Sequence, residues 1–270
     1  MKRFHKHALA GLAGLSLAAC APTAPPRPAV PLNHLPALAG DYFALDSREA
    51  GHRYHVYIRY PDGYRADDAK LYPTVYLLDG DSLFPYLAPH HIFLTYDDQL
   101  PEAIIVGIAY GSFSPPVNRR GQDFGDGAAA FQRFLKNELI AQVERRTRAD
   151  PQRRILVGQS RGGGFALYSA YTDPDLFWAR IASNPSFPTH GELLLKGAPA
   201  AAQRRDLQLI VASGTRDRPQ IRAATLEWLA AREGQPEPWR FHRIELEGGT
   251  HAADMPNVYR KAMNWLFTRP

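Results

Sequence analysis

The stretch ILVGQSRGGGFALYSAY, residues 155–171, leaves this chain few ways to fold. An apolar run of strand character, 155–157, enters Gly158-Gln159-Ser160-Arg161-Gly162 and emerges in an apolar pattern of helical period. That transition puts Ser160 in a tight strand-to-helix turn, and small residues two before and two after it, Gly158 and Gly162, let strand and helix approach without collision. Gly163 and Gly164 carry the run into the helix start, where small side chains keep the space beside Ser160 open. The helix N-terminus then turns free N–H groups toward developing negative charge. The pentapeptide alone is only moderately specific, so the surrounding pattern decides its meaning.

That pattern alternates short apolar runs with helical segments from about residue 38 onward. Strands are expected at 53–60, 74–79, 103–110, 154–158, 178–183, 207–213 and 240–246, and helices at 127–147, 162–171, 219–232 and 257–268. TVYLLD (74–79) and AIIVGIAY (103–110) are unbroken apolar runs, as in strands covered on both faces of a parallel sheet. In 127–147, Ala130, Phe131, Phe134, Leu135, Leu139 and Val143 make one stripe. The expected fold class is α/β: a mostly parallel, doubly wound sheet with helices on both faces, and the strand, Gly-x-Ser-x-Gly and helix sequence within it resembles that of the α/β-hydrolase fold.

A serine hydroxyl is a weak nucleophile at neutral pH and needs a base, which needs an orienting acid. On this fold the chain order is serine, acid, histidine. Asp217 follows the strand 207–213, and His251 follows the strand 240–246 behind Gly248 and Gly249; both stand where α/β sheets build their sites. Glu227 and Glu247 are the less well placed alternatives to Asp217, which could also be a solvated turn residue. Two backbone donors are expected for an oxyanion: the N–H of Arg161 and that of Asp81, in LLDGDSLF (77–84), where Gly80 permits an unusual backbone; the alternative is that DGD is merely a turn. Neither a metal nor an organic cofactor is implied, since no His/Asp/Glu group has ligand spacing and the chain has one cysteine.

That cysteine, Cys20, belongs to a different device. Residues 1–19 pair a basic MKRFHKH with an apolar ALAGLAGLSLAA too short to span a bilayer, the pattern of an export signal. LAAC resembles the lipobox of bacterial lipoproteins, which implies cleavage before Cys20, its acylation, and a membrane partner held through lipid. The proline- and alanine-rich 20–37 reads as a tether and 38–270 as one catalytic domain, expected at the periplasmic face of the outer membrane. Lys2, Arg3 and Lys6 supply much of the formal net charge of +5, so the domain is too mildly basic to imply nucleic acid, and nothing implies a protein partner.

Taken together, YPTVYLLDGD (72–81), AIIVGIAY (103–110), NRRGQDF (118–124), the stretch 134–187 and GTH (249–251) resemble an esterase family of α/β hydrolases. That family includes esterase D, the enterochelin-type siderophore esterases and, more distantly, the mycolyltransferases. The resemblance implies Ser160 as nucleophile, His251 as base, Asp217 as acid, and Asp81 and Arg161 as oxyanion donors. The siderophore branch is the most similar, through VGIAYG and the arginines near the site. Its ferric catecholate substrates are anionic and aromatic, so Gly80, Arg119, Arg120, Arg161, Tyr110 and Phe113 are the expected substrate contacts. The arginines could instead be surface charges or partners of Asp123 and Asp126. Carbohydrate-ester hydrolysis, acyl transfer to envelope lipids, and a binding lipoprotein that has lost catalysis stay open beside siderophore ester hydrolysis.

Overall fold

The apolar runs become the centre of one eight-stranded sheet in the computed structural model, which describes residues 36–38 and 40–267. The expected signal segment, Cys20 and the tether up to residue 35 lie outside the described residues; Pro36–Leu38 form one short 3-10 turn. The strands are β1 (Gly40–Asp46), β2 (Arg53–Arg59), β3 (Tyr72–Leu77), β4 (Ile104–Ala109), β5 (Ala149–Gln159), β6 (Ala179–Ser183), β7 (Gln208–Gly214) and β8 (Arg240–Leu246). Their order is β1-β2-β4-β3-β5-β6-β7-β8. The β1–β2 and β2–β4 pairs are antiparallel and every other pair is parallel. All residues of β4, β6 and β7 are buried, the burden that a parallel sheet covered on both faces puts on its central strands.

The helices are α1 (Gly80–Asp97), α2 (Arg120–Asp123), α3 (Ala128–Phe134), α4 (Ile140–Arg146), α5 (Arg161–Thr172), α6 (Gly191–Lys196), α7 (Pro219–Arg232) and α8 (Met255–Phe267). Because side chains alternate across each strand, the sheet feeds two cores. Tyr76 and Leu156 point into one, with Phe131, Phe134, Phe165 and Trp228 of the helices. Val75, Leu77 and Val157 point into the other, with Leu87 of α1 and Val258 and Met263 of α8. Helices therefore lie on both faces, as expected.

Three elements differ from the sequence expectation. β1 was unread because its residues are mostly exposed, leaving no apolar run to mark an edge strand. The stretch after β3, where no helix is expected, forms α1, whose Pro85 and Pro89 and weakly sided composition disguise it. The helix expected over 127–147 is split into α3 and α4 by a π-helical turn, Leu135–Leu139, whose wider winding leaves Ala130 only partly buried while Leu135 and Leu139 reach the core.

α5 is finished by an unusual residue. Arg180 of β6 is fully buried, and its guanidinium donates to the carbonyls of Ser169, Asp173, Pro174 and Phe177 and to the Ser169 hydroxyl. Burial pulls its pKa below the ordinary value, but it remains a cation, suited to the carbonyl end of a helix.

Candidate active site

Register assembles the site. Leu77 of β3 lies opposite Val157 of β5, Gln159 of β5 opposite Ser183 of β6, and Gly214 of β7 opposite Leu246 of β8. The residues that follow these strand ends, Asp79, Ser160, Asn184, Asp217 and His251, therefore collect along one edge. Ser160 has φ 59° and ψ −121°, a conformation that side chains rarely adopt. Three backbone bonds fix it there: its N–H donates to Ser183, and its carbonyl accepts from Gly164 and Ser186. A Cβ on Gly158 would stand 2.2 Å from the Gly162 carbonyl oxygen, so glycine is required where strand and helix meet. Gly164 serves a different end from the one expected. A Cβ there would stand 2.2 Å from the Ser186 carbonyl oxygen, so the space is filled by the 184–187 segment instead of lying open beside Ser160.

The Ser160 hydroxyl lies 2.9 Å from His251 Nε2, and His251 Nδ1 lies 2.7 Å from Asp217 Oδ1. A carboxylate facing Nδ1 keeps the proton there, which leaves Nε2 free to accept from serine. The Asp217 side chain is wholly buried; Oδ1 also accepts the Arg218 N–H, and Oδ2 has no hydrogen-bond partner among the described residues. Of the alternatives, Glu227 is exposed on α7 and Glu247 faces the Thr215 hydroxyl, so neither reaches His251.

Sequence reasoning missed what holds these loops. Asn184, left-handed at φ 42°, donates from Nδ2 to the carbonyls of Thr250 and His251 and accepts at Oδ1 from Gly214 N–H. Gln159 Nε2 donates to the His251 carbonyl as well, and Arg216 N–H donates to Gly249. Asp254 accepts from the Thr250 N–H and hydroxyl, which hold its carboxyl below the usual range. Asn184, in the stretch NPSF (184–187) that follows β6, is buried and is not in the cavity wall.

The other wall begins at the N-terminus of α1. Asp79 is left-handed, with φ 53° and ψ 44°, and its carbonyl accepts from Ser82 and Leu83, leaving the N–H groups of Gly80 and Asp81 with no acceptor within the helix. Arg161 N–H, at the start of α5, is in the same situation. The Asp81 side chain accepts from the N–H groups of Tyr110 and Gly111, both at 2.8 Å, tying α1 to the end of β4.

A cavity of about 350 Å³ lies between the two walls, with Ser160 and His251 in it, Asp81 and Leu83 on one side, Phe113, Asn118 and Arg120 on another, and Arg218 opposite. A larger hollow of about 550 Å³, by Trp228, Trp239 and Phe241, holds no serine and no histidine, so the smaller one is the site. Among the described residues, no group of three or more His, Cys, Asp or Glu side chains is placed to hold a metal ion.

Several expected substrate contacts need correction. Tyr110 is 2% exposed and its hydroxyl donates to Asp123 beneath the cavity, so it is no aromatic wall. Gly80 packs against the backbone of Gly107 and Ile108, where a Cβ would meet the Ile108 nitrogen at 2.6 Å; its role is close approach. Arg119 has a buried Nε without a hydrogen-bond partner and is not in the cavity wall, and the Arg161 side chain leaves the wall to lie near Gly121. Arg120 is in the wall, but it pairs with Asp79, neither with Asp123 nor with Asp126. Phe113, 76% exposed, is in the cavity wall. Arg218 in the wall was not foreseen; nothing distinguishes it in sequence from a turn arginine.

Known proteins resemble this chain in sequence and in fold. Ferri-bacillibactin esterase BesA of Bacillus subtilis is 29% identical, over 56% of this chain and 60% of its own length. The chain spans about three fifths of the length of the curated relatives it matches. Two solved structures share the fold: the BES protein of Bacillus cereus (TM-score 0.74, 22% identity, 91% of this chain and 98% of that one) and an IroE-like serine hydrolase of Shewanella oneidensis (TM-score 0.73, 24% identity, 85% and 80%). The model of the family described as "Putative esterase" matches residues 47–253, more than half of the chain, and the protein belongs to that esterase family.

Proposed function

We infer that this protein is a serine carboxylic-ester hydrolase working through an acyl-enzyme, with a ferric triscatecholate trilactone as its substrate. The observation that carries the reading is the continuous hydrogen-bond chain from Ser160 through His251 to Asp217 beside a cavity whose acids already have partners. Asp79 is engaged by Arg120 and Asp81 by two backbone N–H groups, while the Arg218 guanidinium has no acidic partner among the described residues, so one cation is left to meet an anion at the cavity. An anionic, aromatic substrate suits that charge, and the relative named a ferri-bacillibactin esterase supports the choice.

In this mechanism Ser160 Oγ attacks the ester carbonyl while His251 Nε2 takes its proton, and Asp217 stabilises the resulting imidazolium. The carbonyl oxygen becomes an oxyanion met by the N–H of Arg161 and those at the start of α1. His251 then returns the proton to the departing alcohol, and water repeats the sequence to release the acid. We further infer, from the residues around Cys20, that the protein is exported and held at a membrane through lipid on that cysteine. The test is hydrolysis of p-nitrophenyl acetate and of ferric enterobactin by the protein and by Ser160→Ala. Cleavage of both, reduced about 10⁴-fold or more in the variant, is expected. Cleavage of the acetate alone would discard the siderophore substrate, and no cleavage with no labelling of Ser160 by a fluorophosphonate would discard the enzyme.

A further inference from the structure

Asp79 raises a problem that the mechanism leaves unanswered. Its carboxylate sits at the N-terminus of α1, and a Cβ on Gly162 would stand 3.3 Å from its Oδ2, so it also lies against the first turn of α5. Both helix ends attract anions. An aspartate preceding a helix ordinarily turns its side chain back to accept an N–H of the first turn. Here that bond is absent, and the Asp79 carbonyl alone accepts from Ser82 and Leu83. A self-capping carboxylate would occupy the donors that an ester oxyanion needs, and even a nearby uncompensated one would repel that oxyanion.

Arg120 is what takes the carboxylate away. Its Nε and Nη2 donate to Asp79 Oδ1 and Oδ2 at 2.7 and 3.0 Å, a bidentate pair in a partly buried setting. The arginine is itself anchored from behind. Its N–H donates to Asn118 Oδ1, and its guanidinium stands 5.5 Å from the Phe124 ring. Three residues on, buried Asp123 accepts from the hydroxyls of Tyr54 and Tyr110 and faces His52 Nε2 at 3.1 Å, which fixes α2 to β2 and β4. These contacts hold Arg120 in place.

We propose that Arg120 is a positioning residue that withholds the Asp79 carboxylate from the oxyanion site, keeping the N–H groups at the start of α1 open for the reacting ester. The proposal rests on the serine-hydrolase reading and replaces a substrate contact with a role exerted through Asp79. It makes an asymmetric demand: removing the arginine harms the reaction because it frees an aspartate, so removing the aspartate's charge as well restores it. Asparagine is suited to the test because it tolerates the left-handed backbone of position 79.

The experiment compares wild type, R120Q, D79N, D79N/R120Q and R120K on p-nitrophenyl acetate, which has no charge for an arginine to bind, with thermal midpoints recorded for each. The expected result is a loss of about 100-fold in kcat for R120Q with KM within about twofold, comparable to losing an oxyanion donor. D79N is expected within about fivefold of wild type, and D79N/R120Q is expected to recover to the level of D79N. A double variant as slow as R120Q, or slower, overturns the proposal. So does an R120Q whose only defect is a raised KM for an anionic catechol ester, which would make Arg120 a substrate contact. Should R120Q not fold, R120K and D79N/R120K carry the same comparison, with a smaller loss and the same rescue expected. If wild type itself fails to cleave the acetate, the underlying reading fails; if it cleaves and R120Q matches it, only this proposal does.

Discussion

The two walls of the cavity are built in opposite ways. The Ser160–His251–Asp217 wall stands on the ends of β5, β7 and β8, and its loops are laced mainly by Asn184, Gln159 and backbone amides, with Asp254 accepting from Thr250 beside His251. The wall at the start of α1 is fastened by carboxylates, Asp79 to Arg120 and Asp81 to two N–H groups. Sheet register does the positioning in the first, whereas the second depends on side chains that find partners some 30 to 40 residues away in sequence. The first wall keeps its catalytic carboxylate, Asp217, buried behind the histidine, whereas the second brings two carboxylates to the start of α1, where an oxygen has to be received.

Asp217→Asn breaks the first wall most deeply. It leaves the shape but favours the wrong histidine tautomer, and kcat for p-nitrophenyl acetate should fall about 10⁴-fold with little change in thermal midpoint. Asn184→Ala should cost less in chemistry and more in stability. It frees the buried Gly214 N–H and unties the His251 loop, so kcat should drop about 10- to 100-fold and stability by about 2 kcal/mol in urea unfolding. An unchanged kcat there would mean that Gln159 and the backbone suffice to hold the histidine.

On the other wall, Asp81→Asn keeps one acceptor for the two N–H groups of Tyr110 and Gly111, and kcat should fall about tenfold with KM nearly constant. The smallest effect belongs to Asp98, at the far end of α1, whose carboxyl is held below its usual value by hydrogen bonds from Arg260 and Asn264. A depressed carboxyl contributes stability above its unfolded pKa and loses it as pH falls through the lower, folded value. Asp98→Asn should therefore leave neutral kcat unchanged and flatten the loss of stability below about pH 4. An equally steep acid transition in the variant would show that α1 is anchored elsewhere.

What the sequence revealed follows the same division. Ser160, Asp217 and His251 were legible because each follows an apolar strand run in a fixed chain order, and parallel pairing carries that order into space. α1 was not, since Pro85 and Pro89 break its pattern, and neither was β1, which has one face to water. Arg120 could be singled out but not assigned. Whether an arginine meets a substrate, Asp123 or Asp79 depends on how α2 lies over the end of β3, and no local pattern records that.

Arg180 has a consequence for motion. The carbonyls at the end of α5 are satisfied by a buried guanidinium that belongs to β6. The last turn of the helix therefore cannot fray alone, because opening it would strand a buried cation. Amides near 169–173 should exchange with solvent only when β6 leaves the sheet, at a free energy close to that of unfolding the whole domain. The helix that presents the serine is thus held at both ends, by Arg180 at the distant one and by the three backbone bonds of Ser160 at the near one.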